Sequence, residues 1–192
     1  MNNYLTNYLT NNKRILLLLI FCIFSRICTS IFYIEDIDSL RFALSALYFD
    51  ILDSRPHFPG YPVFCFLLQK IYFIIQNIGF TFSLIGGFSM FTIILFTNKI
   101  IFELKAPNTI YTTILIAINP LLWLMSNRYM PDLMGLALLT IGLLYLVRTI
   151  KYNNKLDFIL LGVFLGVLAG VRLSFIPFFL PVIFLITNKN FK

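Results

Sequence analysis

Charged residues are scarce in this chain. Asp, Glu, Lys and Arg make up only 12% of its 192 residues, whereas soluble globular domains carry about 25%. Hydrophobic residues make up 59%, and the mean hydropathy is +0.88. Because the apolar residues are gathered in long runs, the sequence predicts an integral membrane protein and excludes a soluble domain.

Histidine, cysteine and the familiar catalytic motifs are equally sparse. Cys22, Cys28 and Cys65 lie inside apolar runs without metal-ligand spacing, so we interpret them as small buried hydrophobes rather than disulfide or zinc residues. The sequence has no glycine-rich phosphate loop, no nucleophile elbow and no HExxH motif. No cofactor is therefore predicted, and dependence on a divalent metal is left open.

The net charge of +7 does not predict a nucleic acid partner. No basic and aromatic face is present, and the cations cluster at the ends of apolar runs, where membrane topology uses them. The first such pair, Lys13 and Arg14, precedes an apolar core that resembles a signal sequence. Because no small-x-small cleavage site follows before residue 35, we favour an uncleaved anchor over a removed signal peptide.

The positive charges predict how many of the apolar stretches cross the membrane. Lys and Arg form four groups near helix ends, at 13–14, 99–105, 148–155 and 189–192, and the positive-inside rule places all four in the cytoplasm. Six crossings satisfy that rule if one stretch, 61–80, stays outside the bilayer, and its Lys70 and glutamines favour this. The apolar stretches are 15–34, 61–80, 82–98, 108–125, 131–147, 158–171 and 174–187.

We therefore predict an all-α, polytopic membrane protein with a single domain, 1–192. Its parts are a cytoplasmic tail, 1–14, an outer loop, 35–81, and the remaining transmembrane helices within 82–187. The first transmembrane helix precedes the loop, which makes six spans in all. The N-terminus is cytoplasmic in this topology, and most carboxylates lie on the outer side.

The outer loop is predicted to contain two helices that lie along the membrane surface. In the first, 39–51, apolar residues follow helical spacing on one face, with Arg41 on the other. The second begins at Pro62 and runs to about residue 78. Between them, the prolines and the glycine of "RPHFPGYP", 55–62, prevent a continuous helix and allow a tight turn.

Asp36 and Asp38 are the candidate catalytic residues because they lie where the first span leaves the membrane. A carboxylate at this depth can act as general base toward a hydroxyl group. The alternative is that both acids only cap the helix that starts at Ser39 and complement its dipole. The sequence does not decide between these two interpretations.

Four further residues are candidates for substrate binding, each with a structural alternative. Asp132, beside Arg128, faces the same outer side or merely begins a helix after a proline. Arg172 lies between two apolar stretches, where a guanidinium can bind a lipid phosphate or simply reach for water. His57 can contact a phosphate or support the loop.

Two features receive no chemical role. Arg26 lies within the first span without an identifiable partner. Gly162, Gly166 and Gly170 repeat every four residues and predict close packing of helices rather than catalysis.

Four segments in this order resemble the N-terminal part of the GT-C superfamily of glycosyltransferases that use lipid-phosphate sugars. The resemblance is greatest to bacterial multi-pass members and to the protein O-mannosyltransferase-like branch. The first two segments, an Asp that opens an interfacial helix and a proline-rich elbow, are the more specific. The segments are "DSLRFALSALYFD", 38–50, "PHFPGYPVF", 56–64, "SNRYMPDLMGLAL", 126–138, and "GVLAGVRLSFIPFFLP", 166–181.

The resemblance implies transfer of a sugar from a polyprenyl-phosphate donor to a hydroxyl acceptor on the outer face of a bacterial plasma membrane. Asp38, with Asp36 in reserve, would deprotonate the acceptor, Asp132 would be the acid of the second outer loop, and Arg172 would lie near the lipid phosphate. The implied partners are membrane lipid and the lipid-linked sugar. Members of the family are usually much longer, so the resemblance also implies a separately encoded C-terminal half. The competing interpretations are a non-catalytic subunit or remnant and a small transporter, which would need polar or broken helices in mid-membrane.

Overall fold

The computed structural model describes residues 12–106 and 109–180, and all regular elements within these ranges are helical. This confirms the predicted all-α class. The α-helices are α1 (Asn12–Cys28), α2 (Ile37–Leu47), α3 (Pro62–Ile75), α4 (Ile78–Glu103), α5 (Thr109–Ala117), α6 (Pro120–Asn127), α7 (Asp132–Tyr152) and α8 (Lys155–Arg172), followed by a 3₁₀ helix (Leu173–Phe179).

Three helical segments of the described residues are long and apolar enough to cross a membrane, namely α4, α7, and α8 counted with the 3₁₀ helix that follows it, Lys155–Phe179. A fourth is obtained if α5 and α6 form one broken span. The six predicted spans also include α1, with 17 described residues, and the stretch 174–187, which extends beyond the described residues.

Three glycines of α4 lie at close contacts within the bundle. A Cβ on Gly87 would lie 2.9 Å from the Cα of Ile23, and one on Gly79 would lie 2.6 Å from the carbonyl oxygen of Ile31. From Ile23 to Ile31 the chain advances by eight residues, whereas the contacts on α4 go back by eight residues, from Gly87 to Gly79. Helix α1 and the residues that follow it therefore run antiparallel to α4. At Gly86 the approach is closer still, because a Cβ there would overlap the Ser126 carbonyl at the end of α6.

The chain reverses direction at Arg172. Helices α7 and α8 are antiparallel, because Arg172 pairs with Asp132 at one end and Arg148 pairs with Asp157 at the other. After Arg172 the 3₁₀ helix packs along α7 in the same sense as α7. Phe175 lies against Gly135 and Phe179 against Gly142, seven residues further along α7.

Helix α2, the first of the two helices predicted to lie along the membrane surface, is shorter than predicted. It ends at Leu47, so Ile51 lies outside it, because Tyr48 is extended and Asp50 exchanges backbone hydrogen bonds with Arg55, at 2.9 and 2.7 Å. The face that packs inside the protein is distinct from the apolar face predicted to lie on the membrane. It carries Ser39, Phe42, Ala43, Ser45 and Ala46, whereas Leu40 and Leu47 are exposed.

The predicted helix over 108–125 is broken, and its two halves, α5 and α6, meet at a 53° bend. Pro120 has no N–H to continue the helical ladder, and Asn119 caps the new helix by accepting a hydrogen bond from the Leu122 N–H at 3.2 Å. The indole N–H of Trp123 donates to the Ala117 carbonyl at 2.6 Å. That bond satisfies an acceptor that the break leaves without its helical partner.

Arg26 has its partner at the same break. Its guanidinium lies 3.6 Å from the ring centroid of Trp123 and donates to the Ser25 hydroxyl at 3.3 Å. The residue is 1% exposed. A cation on an indole face inside a helix bundle is a favourable way to bury a guanidinium without an acid.

In the described part of the chain, the close packing predicted along the glycine repeat of α8 is seen at one of its three members. Among the described residues nothing lies within 4 Å of a Cβ built on Gly162 or Gly166. Of the three, Gly170 is crowded, because a Cβ there would overlap a Val63 methyl, and this contact seats α3 against α8.

Candidate functional site

Five polar side chains form a connected network at the end of the bundle where α2, α7 and the C-terminus of α8 meet. The Nδ1 of His57 lies 3.5 Å from a carboxylate oxygen of Asp38, and its Nε2 lies 3.1 Å from the Tyr61 hydroxyl. Arg172 donates from Nη1 to that hydroxyl at 3.2 Å and from Nη2 to Asp132 at 2.8 Å. The network therefore joins two acids that are 94 residues apart in the sequence.

The connectivity limits where the protons can lie. The Tyr61 hydroxyl accepts from Arg172, so its own proton is free to point to the Nε2 of His57. This direction is compatible with the tautomer of His57 that has its proton on Nδ1, the nitrogen 3.5 Å from Asp38. Burial raises the pKa of the Tyr61 hydroxyl above its ordinary value, which keeps this donor protonated at neutral pH.

The proline-rich elbow positions His57 and Tyr61. Gly60 has φ of 93° and Tyr61 has φ of 47°, and these two left-handed residues turn the chain sharply into Pro62, the first residue of α3. Phe42 of α2 packs edge-on against both rings, with centroids 5.5 Å from His57 and 5.0 Å from Tyr61. Because Phe42 is fully buried, α2 and the elbow hold each other in place.

Arg172 is placed by the end of α8 and the start of α7. Its β-carbon would lie 2.9 Å from a Cβ on Gly135, so the missing side chain at that position lets the two helices approach. The guanidinium carbon lies 5.6 Å from the Tyr61 ring centroid. The Nε of Arg172 is buried and has no hydrogen-bond partner.

Asp36 belongs to a second cluster. Its side chain caps α2 by accepting from the Ser39 N–H at 2.7 Å, and it also pairs with Arg128. Arg128 donates from Nε to Glu35 at 2.8 Å. The pKa of Asp36 is lowered, first by the bond from the Ser39 N–H and then by Arg128, so this carboxylate is held ionised by its partners.

Asp38 has a different environment from Asp36. It pairs with Arg41, one turn along α2, at 3.2 Å, and its side chain is 41% exposed. A carboxylate that keeps open surface and has a histidine beside it can accept a proton from a hydroxyl group. Asp36 caps the helix, as the alternative interpretation of the acids requires, whereas Asp38 is the acid that remains accessible.

The structure brings all six sequence-predicted site residues to one end of the bundle. Asp38, His57, Arg172 and Asp132 belong to the first network, and Asp36 and Arg128 to the second. Sequence reasoning missed Tyr61, Glu35 and Arg41. The signal that could have found Tyr61 is its position between Gly60 and Pro62, within the proline-rich elbow "RPHFPGYP".

Within residues 12–106 and 109–180, no three His, Cys, Asp or Glu side chains are grouped so that they could hold a metal ion. The acids of both clusters are instead matched by arginines. Asp132 pairs with Arg172, Asp38 with Arg41, and Glu35 and Asp36 with Arg128, so any anion that binds Arg172 must share it with Asp132.

The opposite end of the bundle holds a separate group of charges, which we call the α4–α7–α8 cluster: Glu103, Arg148, Lys151, Tyr152 and Asp157. Lys151 and Tyr152 donate to Glu103 at 3.2 and 2.7 Å. Arg148 pairs through Nε with Asp157 at 3.1 Å. These are local pairs between adjacent helix ends, which fasten α7 to α4 and α8.

The resemblance to glycosyltransferases depends on the quoted residues and not on a detected relative. Compared with known proteins, the chain matches no protein-family model, no curated protein and no solved structure.

Proposed function

We propose that this chain is a membrane glycosyltransferase module that transfers a sugar from a polyprenyl-phosphate donor to a hydroxyl acceptor. The reaction takes place at the outer face of a bacterial plasma membrane. The observation that carries the proposal is the network that links Asp38 to Arg172 through His57 and Tyr61. It joins a proton acceptor to a cation, which are the two groups that displacement of a lipid phosphate requires.

The proposed topology has six crossings with the network outside. The α4–α7–α8 cluster then lies on the cytoplasmic side together with Lys99 and Lys105, in agreement with the positive-inside rule. The antiparallel pairing of α1 with α4 and of α7 with α8 supports this arrangement, because each pair carries the chain across and back. After Arg172 the chain returns along α7, which is the direction that a sixth span needs.

In the proposed reaction, Asp38 accepts the proton of the acceptor hydroxyl. The acceptor oxygen forms a bond to the anomeric carbon of the sugar, and the bond between that carbon and the phosphate oxygen breaks. The electron pair leaves with the lipid phosphate, whose growing charge Arg172 offsets. His57 orients Asp38 and is itself oriented by Tyr61, so its role is positioning rather than direct phosphate contact.

The guanidinium of Arg172 is already partly occupied in this scheme. Asp132 already accepts one of its N–H bonds at 2.8 Å, while its Nε has no partner. A phosphate that approaches the guanidinium must therefore displace Asp132 or share Arg172 with it. Asp132 holds the guanidinium in position before the donor arrives, and this preorganisation lowers the cost of binding.

The test is a transfer assay with radiolabelled polyprenyl-phosphate sugars in reconstituted membranes. The wild-type chain is assayed alone and together with any C-terminal half encoded beside it. Asp38→Asn should lower the rate by about 10²- to 10⁴-fold, the range for loss of a general base. Asp53→Asn is the matched control, because this acid lies in the same loop and its side chain is 62% exposed.

Three results distinguish the alternatives. Transfer that requires Asp38 and tolerates the Asp53 change supports the proposal. Equal turnover of wild type and Asp38→Asn removes Asp38 as the base. No turnover in either, with or without a C-terminal half, favours a non-catalytic subunit or remnant.

One observation favours a transporter as the second candidate. A span broken at Ala117–Pro120, with the buried guanidinium of Arg26 stacked on Trp123 beside the break, is the kind of feature that transporters place in mid-membrane. Uptake of a labelled anion into proteoliposomes, abolished by Arg26→Gln, would support this candidate. Uptake that is unchanged by the substitution would mean that Arg26 has no role in transport.

A further inference from the structure

A groove opens between α1, α4 and α5 at the end of the bundle opposite to the candidate site. Its volume is about 340 Å³, within the range of small-molecule sites, roughly 300–1,000 Å³. The proposed function does not use it, and none of the described residues that line it is acidic. The lining residues are Arg14, Ile15, Leu17, Leu18, Phe21, Leu95, Asn98 and Thr113.

The lining is polar at the mouth and apolar in depth. The antiparallel register of α1 and α4 pairs Ile23 with Gly87, and its continuation places Arg14 level with residue 96, close to Asn98. Leu17, Leu18 and Phe21 lie one to two turns further toward the centre of the bundle. The groove therefore has the polarity profile of one membrane leaflet, from headgroup level to hydrocarbon.

Asn98 gives the mouth a polar group that the protein does not fully satisfy. The residue is only 8% exposed, and its amide nitrogen donates to the Thr113 hydroxyl at 2.6 Å. Its carbonyl oxygen, Oδ1, has no hydrogen-bond partner. A buried amide oxygen that faces no donor is costly, and a ligand with a hydroxyl group in its headgroup can remove that cost.

We propose that this groove binds one anionic glycerophospholipid from the leaflet at the Arg14 end. The phosphate pairs with Arg14, the headgroup hydroxyls lie near Asn98, and an acyl chain lies along Leu17, Leu18 and Phe21. Charge favours an anionic lipid, because the described residues at the mouth contribute a guanidinium and no carboxylate. The apolar side chains that line the rest of the groove favour a lipid, whose acyl chain they can contact, over a soluble phosphate.

The site can be tested without any enzymatic assay. A photo-crosslinking amino acid replaces Leu17, which lines the groove and is 65% exposed, and the protein is placed in nanodiscs of equal phosphatidylglycerol and phosphatidylcholine. The matched control is Leu16, which is 54% exposed and does not line the groove. We expect about fivefold more phosphatidylglycerol adduct, relative to phosphatidylcholine, at position 17 than at position 16.

Two substitutions test whether the preference for phosphatidylglycerol depends on the polar residues at the mouth of the groove. Arg14→Gln should reduce the ratio at position 17 to that at position 16, and because Arg14 is exposed, the change leaves the helix packing intact. Asn98→Asp keeps the shape but adds a carboxylate, so it should reverse the preference. Equal ratios at the two positions, an adduct with a peptide instead of a lipid, or a preference that survives Arg14→Gln would each overturn the proposal.

Discussion

The two ends of this helix bundle use the same kinds of side chain in different ways. At the α4–α7–α8 cluster, each acid is paired with a residue of an adjacent helix end, and Asp157 keeps only 4% of its side-chain surface. At the other end, the network connects α2, the elbow, α7 and α8, and Asp38 keeps 41% of its surface. One end fastens helices together, whereas the other assembles distant residues around an accessible carboxylate.

The difference shows why charge pairs alone do not identify a site. Arg148 and Arg172 each pair with an acid across the same two helices, α7 and α8. Arg148 also lies 4.0 Å from Glu103, at the adjacent end of α4, whereas Arg172 is connected through the Tyr61 hydroxyl to the elbow and to α2. Substitutions that separate these two arginines and their neighbours therefore test the comparison.

After Asp38→Asn, the largest effect on sugar transfer is expected from the arginine of the network. Arg172→Ala should lower the rate of sugar transfer by about 10²- to 10³-fold, as does the loss of one donor to a developing anion. Arg172→Lys should recover little, because an ammonium cannot replace the planar fork that reaches both Tyr61 and Asp132. Lys151→Ala, at the opposite end, should leave the rate within about twofold, and an equal loss in the two variants would erase the distinction between the ends.

The reverse pattern is expected for stability. Asp157→Asn breaks a pair whose acid is buried and should lower the free energy of unfolding by about 1–3 kcal/mol; the exposure of Arg148 limits the loss. Transfer per folded molecule should stay unchanged. Thermal unfolding in detergent measures the loss, with Asp53→Asn as the exposed control. If the variant is as stable as the wild type, the pair between Arg148 and Asp157 does not stabilise the packing of α7 against α8.

The hydroxyl that joins the two halves of the network should have an intermediate effect. Tyr61→Phe keeps the buried ring and deletes the bonds to His57 and Arg172, so transfer should fall by about tenfold, the equivalent of one hydrogen bond to a charged group. Combined with Arg172→Lys, the loss should be smaller than the product of the two separate losses, because both changes break the same bond. Strictly multiplicative losses would mean that Tyr61 and Arg172 act independently.

The smallest effect is expected from Asp36 and depends on pH. Its pKa in the folded protein lies below the unfolded value of about 3.9, so its contribution is present above that value and is lost as the pH falls through the folded pKa. Asp36→Asn keeps the helix cap but not the charge, so the variant should be slightly less stable at neutral pH. The difference from wild type should shrink in acid, and one that grows instead would contradict the assigned partners of Asp36.

The residues of the candidate site were easier to predict from the sequence than the boundaries of the helices. Proline and glycine spacing predicted the elbow before Pro62, and the acid at position 38 and the arginine at 172 stood out because charges are rare in this chain. Their connection could not be predicted, because it passes through Tyr61, whose left-handed backbone is set by its neighbours in the fold. Residue types indicate which groups can react, but only packing decides which of them meet.

The errors have local causes. Hydropathy alone joined α5 to α6, although Asn119–Pro120 is an ordinary signal for a new helix start. The glycine repeat of α8 suggested a packed face, yet the crowded glycines include Gly86 and Gly87 of α4, which belong to no such repeat. Periodicity describes one helix, whereas close approach depends on where a second helix crosses it.

The orientation of the two ends is the claim on which the proposed chemistry depends, and labelling with a membrane-impermeant maleimide tests it directly. In a Cys28→Ser background, where the remaining cysteines, Cys22 and Cys65, are buried, single cysteines are introduced at Asp53 and at Lys105. We predict that intact cells are labelled at position 53 and that position 105 reacts only after lysis. Labelling of position 105 in intact cells, with position 53 protected, would place the network in the cytoplasm and contradict the account.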